Sequence, residues 1–304
     1  SKGALVGLTY DTVNVPDEIT IGLRLAYDNA AKNNSARSRS VLGDLVNKIP
    51  AKKEKGYVKQ FYAEYTNLTD PVEAQKIQLS ASVDNRRVLK PIEGIEYHKI
   101  AGEVFDQAVA CSQYLSFRFK DPNKLVVEIA GILEEMKFRE DSSEIFEERF
   151  KGIAKFIGFN SQRPEQEYNK GPDVLWEIGK LKYLVVECKN EAVVSTVTKG
   201  YCNQLNGSCV WFEKRYDNTC TYTPIMVHPS AVFEYAASPH ASTRIMNRDK
   251  LDLFHKAVSS FIKAVATSNE LGSPSAIREK LIAFRLRASD FVETYTVPFS
   301  VRGN

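Results

Sequence analysis

Hydrophobic residues recur with two different periods along the chain, and the change of period predicts two kinds of secondary structure. From residue 123 to 157 the apolar positions lie three or four residues apart, which is typical of helices that bury one face. After Gly171 the apolar residues become nearly continuous in two short runs. These runs predict strands at 173–179 and 182–189, joined by a tight turn at Gly179-Lys180 and paired as an antiparallel hairpin.

The elements around this hairpin predict an α/β/α sandwich. Helices at 143–157 and 198–216 should flank a mixed central sheet. The apolar run 221–227 adds a buried strand, and 242–246 adds a short one. An amphipathic helix is predicted over 251–265, and C-terminal helices follow it.

A domain boundary is predicted at Asp121-Pro122-Asn123, because proline is rejected from helix interiors and pushes the residue before it out of the helical region. Residues 1–122 would then form a mostly helical domain. Asp17 can cap its first helix, and helical periodicity returns around 99–115. Residues 123–304 would form the α/β domain.

Composition excludes several classes of protein. The 304 residues are 43% hydrophobic and 26% charged, which is ordinary for a globular chain and excludes disorder throughout. The longest apolar runs have four or five residues, whereas a membrane-spanning helix needs about 20. Five scattered cysteines form no C-x-x-C pair, so neither a zinc site nor a disulfide framework is indicated. Reduced thiols and the lack of a secretory signal favour a cytoplasmic protein.

The predicted hairpin carries the best candidate for chemistry. Asp173 begins its first strand and Glu187 ends its second, so antiparallel pairing should bring the two carboxylates together. Two carboxylates at one point favour Mg²⁺, which prefers oxygen ligands. Lys189 lies two residues after Glu187 and should share its face of the strand. An ammonium there could position or deprotonate an attacking water and offset charge in a transition state.

The pattern acid-x-Lys is weak by itself, since Glu135-Met136-Lys137 matches it within a predicted helix. Most such matches are surface charge. The run Tyr183-Leu184-Val185-Val186 gives the second match a different context, because a buried strand ends abruptly in Glu187-Cys188-Lys189. A functional site is therefore the favoured interpretation of the hairpin residues.

Pro172-Asp173 followed by Glu187-Cys188-Lys189 resembles the signature of the PD-(D/E)XK, or restriction-endonuclease-like, nuclease superfamily. Phe146-Glu147, in a helix that ends at Gly158-Phe159, is similar to the start of that domain in the methyl-directed type IV restriction branch. The resemblance covers roughly residues 140–265. It implies a restriction-endonuclease-like fold and hydrolysis of phosphodiester bonds.

The resemblance also implies a set of metal ligands. Asp173, Glu187 and the backbone carbonyl of Cys188 would hold Mg²⁺, for which Mn²⁺ could substitute. Glu147 would be a further ligand or a partner of the attacking water. The neighbouring Glu148 and the earlier Glu144 are alternatives for that last role.

In the same family a glutamine or lysine often follows in the next helix, and Gln204 is the candidate here. It would orient a side chain or contact the nucleic-acid backbone. The alternative is an ordinary exposed helix glutamine.

A basic segment at 30–60, with eight basic against two acidic residues, is a second feature of interest. Such a segment is usually solvated surface, but beside a nuclease it could follow phosphates, since lysine and arginine release counterions on binding. The net charge of the whole chain is only +3, so binding would need a local basic face. The candidate nucleic-acid-binding residues are Lys52, Lys53, Lys55, Lys59 and Lys199.

Two classes of function follow from the sequence. The first is a metal-dependent endonuclease acting on nucleic acid, with DNA preferred over RNA, as the nuclease part of a restriction, phage-defence or helicase–nuclease system. The second is a catalytically silent module of the same fold that binds nucleic acid or scaffolds a partner. The chain begins Ser1-Lys2-Gly3 without a methionine, which indicates an upstream extension, and it has no phosphate-binding loop for ATP. Double-strand cutting would favour a homodimer, and no membrane partner is expected.

Overall fold

The structure is a computed structural model that describes residues 17–91, 97–100 and 106–302. The chain divides into two compact units, Ser1–Glu96 and Tyr97–Asn304. The described part of the first unit consists of helices, and it begins with the helix that Asp17 caps through a hydrogen bond from the backbone N–H of Thr20. Its helices are α1 (Glu18–Ala31), α2 (Ser35–Lys48), α3 (Lys52–Asn67) and α4 (Pro71–Asp84).

The division lies earlier in the chain than the boundary predicted at Pro122. Helix α5 (Gln107–Arg118) belongs to the second unit, and the side-chain amide of Gln107 shows why. Its Nε2 donates to the carbonyls of Ile157 and Leu286, both at 2.8 Å. Proline ends helices inside compact units as well as between them, so Pro122 marks only the start of the next helix. Residues 101–105, within the helical periodicity expected around 99–115, lie outside the described residues.

The second unit holds most of the helices and all strands of the described chain. The predicted helices 143–157, 198–216 and 251–265 are confirmed, with ends that differ by at most three residues. After α5 the helices are α6 (Pro122–Glu135), α7 (Ser143–Phe156), α8 (Pro164–Tyr168), α9 (Lys199–Arg215), α10 (Arg248–Ser268), α11 (Pro274–Ala283) and α12 (Ala288–Tyr295).

The sheet is mixed, as predicted, and has six strands in the order β1-β2-β3-β4-β6-β7. The pairs β1–β2, β2–β3 and β6–β7 are antiparallel, whereas β3–β4 and β4–β6 are parallel. Strands β5 and β8 form a separate parallel pair. The bounds are β1 (Asn160–Gln162), β2 (Val174–Gly179), β3 (Lys182–Cys188), β4 (Thr221–Val227), β5 (Val232–Phe233), β6 (Arg244–Met246), β7 (Val297–Pro298) and β8 (Ser300–Val301).

Alternate residues of the hairpin bury opposite faces of the sheet. Tyr183 and Val185 pack in one cluster with Phe212 of α9. Trp176 and Leu184 face the other way and join the larger core built by α7 and α10. The strands are thus covered on both sides, which explains why their sequence reads as continuous apolar runs rather than an alternation. Within the described chain, no helix combines the length and the apolarity that crossing a membrane requires.

Candidate functional site

The hairpin register places Asp173 opposite Glu187. Val174 pairs with Val186, so the next residue on each strand continues the antiparallel ladder at its open end. Gly171 allows this entry, because its φ of +112° favours glycine and a Cβ there would lie 2.8 Å from the Trp211 ring.

Lys189 lies between the two carboxylates. Its Nζ is 3.3 Å from Asp173 Oδ2 and 3.1 Å from Glu187 Oε2. The backbone N–H of Cys188 also donates to Asp173 Oδ2, at 2.7 Å. The acid side chains are only 7% and 5% exposed and the lysine 15%, so these charges interact with little screening by water. The structure therefore brings together the three residues that the sequence selected.

Burial and mutual repulsion dominate the electrostatics of this cluster. Burial, followed by the charge of Asp173, raises the pKa of Glu187 to about 8, against the opposing effect of Lys189. Burial disfavours the charge of Lys189, but Asp173 and Glu187 outweigh it and raise the pKa of its ammonium. In the metal-free protein Lys189 is thus a persistent cation, and Glu187 holds its proton to a higher pH than a free carboxyl group does.

Cys188 presents only its backbone to this cluster. Its side chain is 3% exposed and packs in the larger core, on the face opposite Glu187. The N–H and C=O of one residue in an extended strand point to the same side. Because the N–H of Cys188 is directed at Asp173, its carbonyl lies on that side of β3 as well.

Glu147 is held by a buried arginine. One of its carboxylate oxygens accepts from the guanidinium of Arg163, which also lies 3.3 Å from Glu148. Burial and the nearby charge of Asp173 raise the pKa of Glu147 to about 7, while Arg163 acts in the opposite direction. Glu147 therefore adjoins the cluster, with Arg163 as its direct partner.

Helix α9 contributes a residue that the sequence analysis missed. Ser208 donates its hydroxyl proton to Glu187 Oε1 at 2.7 Å, while Gln204, one turn earlier on the helix, is exposed. The ring of Tyr201 lies 5.9 Å from Lys189 Nζ. Residues three or four apart share a helix face, so the spacing from Gln204 could have identified Ser208.

Glu165 is the second missed residue. It lies in the short helix α8, and its carboxyl group is hydrogen bonded to Asp173. Loss of hydration, this hydrogen bond and the charge of Asp173 raise the pKa of Glu165 to about 7. The residue is exposed, unlike Asp173 and Glu187. No motif points to it, because α8 brings it to Asp173 from eight positions earlier in the chain.

The donor set fits a hard cation. Asp173, Glu187 and the carbonyl of Cys188 supply oxygen atoms only, which is the preference of Mg²⁺. A cation would also relieve the repulsion that raises the pKa of Glu187. In the described part of the chain, no group of three or more His, Cys, Asp or Glu side chains is arranged to hold a metal ion, so the fit rests on two carboxylates and one carbonyl.

The candidate basic residues fall into two groups. Lys52, Lys53 and Lys199 are exposed, and the backbone N–H of Lys199 donates to Glu234 at 2.8 Å. Lys55 and Lys59 are buried, with 8% and 7% exposure. Only the exposed lysines present their charge to solvent.

Lys59 has partners inside the first unit. Its Nζ lies 2.5 Å from Asp84 Oδ2 and 2.9 Å from Ser80 Oγ. The sequence assigned Lys59 to nucleic-acid binding because it continues a basic run, but α3 turns it toward α4 instead. Its charge is compensated by Asp84, and this corrects the assignment.

Comparison with known proteins identified no relative of this chain. No family model matches the sequence, and no curated protein or solved structure matches the chain. The geometry of the cluster is therefore the basis for a functional conclusion.

Proposed function

We propose that this chain is a metal-dependent endonuclease that hydrolyses phosphodiester bonds in DNA. One observation carries the proposal: the Lys189 ammonium lies within 3.3 Å of both Asp173 and Glu187 at the open end of a hairpin. Both acids are buried with one cation between them, and clusters of buried like charge are frequent at functional sites. The resemblance of residues 140–265 to restriction-endonuclease-like nucleases supports the same reaction.

Asp173, Glu187 and the Cys188 carbonyl would hold Mg²⁺ in this proposal. When bound, the ion would polarise a phosphoryl oxygen and lower the pKa of a water molecule. Ser208 orients the Glu187 carboxylate through its hydrogen bond to Oε1. The Cys188 N–H likewise fixes Asp173 from the main chain.

Lys189 would act as a charged donor rather than as a base, because its neighbours raise the pKa of its ammonium. Its N–H groups can hold the attacking water and offset the charge that develops on the phosphoryl oxygens. Glu165, once it has released the proton that it shares with Asp173, can take up the proton that this water loses. Glu147 is restrained by Arg163, so we assign it to positioning around Asp173.

The biological setting proposed for this activity is restriction, phage defence or a helicase–nuclease assembly, as the resemblance suggests. A homodimer is proposed if both DNA strands are cut. The competing hypothesis is a silent module of the same fold that binds nucleic acid without cleaving it.

The decisive experiment compares cleavage of plasmid and single-stranded DNA by the wild type and by Lys189→Ala, with Mg²⁺, Mn²⁺ or EDTA. Loss of one catalytic group of this kind lowers the rate by about 10²–10⁴-fold. Lys189→Ala should lose cleavage and keep Mg²⁺ binding, whereas Asp173→Ala and Glu187→Ala should lose Mg²⁺ affinity measured by calorimetry. Excess Mn²⁺ should partly rescue the acid variants only.

Lys137→Ala is the matched control, because Glu135-Met136-Lys137 repeats the acid-x-Lys pattern outside the hairpin. Lys137 is half exposed and paired with Glu134 at 2.5 Å. Its variant should cleave like the wild type. Full activity in a folded Lys189→Ala would reject the proposed mechanism, and a wild type without any metal-dependent cleavage would favour the silent module.

A further inference from the structure

A cleft of about 690 Å³ lies next to the site, beyond the carboxyl ends of β3 and β4. It is lined by the segment 190–195 after β3, Pro229-Ser230 after β4, residues 138–140 before α7 and Arg248 at the start of α10. Ligands of α/β proteins commonly bind at the carboxyl ends of parallel strands. The volume is in the range of clefts that hold a nucleotide-sized ligand.

Two arginines give the cleft a positive wall. Arg139 and Arg248 both line it, both are exposed, and neither forms an ion pair with another described residue. The guanidinium carbon of Arg248 lies 5.2 Å from the centroid of the Phe138 ring. A cation–π contact of this kind limits the motion of the guanidinium and leaves its N–H groups able to bind an anion.

The acids of the cleft do not cancel this charge. Glu191 is committed elsewhere, because its Oε1 accepts from the backbone N–H groups of Ser142 and Ser143, both at 2.6 Å. It thereby caps α7, whose N-terminal N–H groups favour a negative charge. Glu140 is the other acid in the wall, so the arginines exceed it.

Part of the lining is apolar and follows directly on a buried, hydrogen-bonded residue. Val193 is 80% exposed and Val194 is 42% exposed, shortly after the hairpin that bears Lys189. Asn190, which precedes them in the chain, is 2% exposed, and its Nδ2 donates to Ser142 Oγ at 2.9 Å. Its Oδ1 is buried and has no hydrogen-bond partner in the part of the chain described. Guanidinium groups and apolar side chains that line one cleft match a nucleotide, which combines an anionic phosphate with an apolar base face.

We propose that this cleft binds the nucleotide next to the scissile phosphate, on a single DNA strand. Arg139 and Arg248 pair with its phosphate, and Val193 and Val194 contact the base or sugar. Asn190, the first residue after Lys189, lines the cleft. A DNA strand that extends from the site past the end of β3 would therefore enter the cleft directly. This inference rests on the proposed function, because it assigns a subsite to the same substrate.

The test measures binding and hydrolysis separately, with an oligonucleotide for the first and a small phosphodiester for the second. The double variant Arg139→Ala/Arg248→Ala should bind a fluorescein-labelled single-stranded oligonucleotide at least about tenfold more weakly, in EDTA so that no cleavage occurs. The slope of log K against log salt should fall by about 0.7 for each phosphate that the variant no longer binds. Hydrolysis of bis(4-nitrophenyl) phosphate, which has no neighbouring nucleotide, should stay at the wild-type rate.

Arg215→Ala is the matched control, since Arg215 is exposed at the end of α9 farthest from Tyr201 and the site. It should bind and cleave like the wild type. Val193→Asp, at an exposed position, tests the cleft independently and should weaken oligonucleotide binding by adding a negative charge.

The inference would be overturned if the double variant kept the wild-type affinity and salt slope. It would also be overturned if the double variant lost oligonucleotide binding and hydrolysis of bis(4-nitrophenyl) phosphate to the same extent. If the wild type hydrolyses neither substrate, the proposed function fails, yet the binding comparison still decides whether the cleft holds a strand.

Discussion

The backbone N–H of Cys188 donates to the carboxylate of Asp173 at 2.7 Å, and this hydrogen bond joins the two ends of the hairpin at the candidate site. Asparagine keeps an oxygen that can accept the same hydrogen bond. Asp173→Asn should therefore preserve the hairpin while removing one negative charge from beside Glu187. Because the variant removes the charge and keeps the hydrogen bond, it shows how that charge affects the pH dependence of stability.

The first prediction is that the metal-free protein loses stability as the pH rises. The pKa of Glu187 is about 8 in the folded chain and about 4.5 in the unfolded chain, so folding takes up protons between these values. Its contribution is fully present below about pH 4.5 and is lost as the pH rises through about 8. Melting temperatures in EDTA should show this fall, and Asp173→Asn should flatten it because the charge of Asp173 is a cause of the raised pKa.

Mg²⁺ should oppose this loss of stability at high pH. The ion replaces the proton at Glu187, so its stabilising effect should grow from about pH 6 to pH 8. Equal Mg²⁺-induced shifts in melting temperature at both pH values would show that Glu187 does not titrate in this range.

The second prediction concerns Gly158, which ends α7 against α5. Its φ is +82°, and a Cβ would lie 2.1 Å from the backbone oxygen of Gln107. Gly158→Ala should destabilise the protein by more than about 2 kcal/mol, because it adds a left-handed alanine and a backbone clash. The midpoint of urea unfolding gives the measurement.

Gly131→Ala is the control for this substitution. Gly131 lies within α6, and a Cβ there would meet nothing within 4 Å. Alanine should stabilise the helix by about 0.5–1 kcal/mol. A mild effect of Gly158→Ala would contradict the close packing of α5 on the end of α7.

The sequence could predict those parts of the structure in which the interacting residues lie close together in the chain. The hairpin was predictable because its strands are local, and the register Val174–Val186 follows from a two-residue connection. The turn was predicted at Gly179-Lys180, but Gly179 pairs with Lys182, so the turn residues are Lys180 and Leu181, and Leu181 has a φ of +56°. Turn conformation depends on the strand twist, which residue type alone does not set.

Contacts between distant segments were not predictable in this way. The side chain of Ser142, at the N-terminal cap of α7, makes no capping hydrogen bond, and Glu191 from the segment after β3 accepts from the first N–H groups instead. Arg163 and Glu165 reach the site only because β1 and α8 fold back beside β2. A single sequence shows which residues can pair, whereas the fold decides which of them meet.

The third prediction separates the two kinds of lysine in α3. Lys59 is 7% exposed and paired with Asp84, so Lys59→Ala should cost about 3–5 kcal/mol because it removes the cation that compensates a buried carboxylate. Lys52→Ala, at an exposed position, should change stability by less than about 0.5 kcal/mol. Urea unfolding of both variants makes the comparison.

The same helix tests the predicted basic surface. Neutralising Lys52 and Lys53 together should lower the salt slope of duplex DNA binding by about 0.9 for each phosphate that these lysines neutralise in the wild type. An unchanged slope would assign both lysines to solvated surface. A stable Lys59→Ala would instead show that the Lys59–Asp84 pair contributes little to the fold.

The fourth prediction compares two positions one turn apart on α9. Ser208→Ala removes the donor to Glu187 Oε1 without harming the helix, since alanine is the best helix former. The buried oxygen left unpaired should cost about 1–3 kcal/mol of stability. Mg²⁺ affinity should also fall, because the hydrogen bond from Ser208 lowers the pKa of Glu187 and its removal favours the proton over the metal.

Gln204→Ala is the matched substitution, because Gln204 is exposed and the resemblance assigns it a role in catalysis. It should leave both stability and Mg²⁺ affinity at the wild-type values, and it should lower cleavage only if that role is real. Calorimetric titration with Mg²⁺ and urea unfolding in EDTA distinguish the two variants. Wild-type Mg²⁺ affinity in Ser208→Ala would show that Glu187 does not bind the metal, and the ligand set would then have to be sought around Asp173 and Glu165.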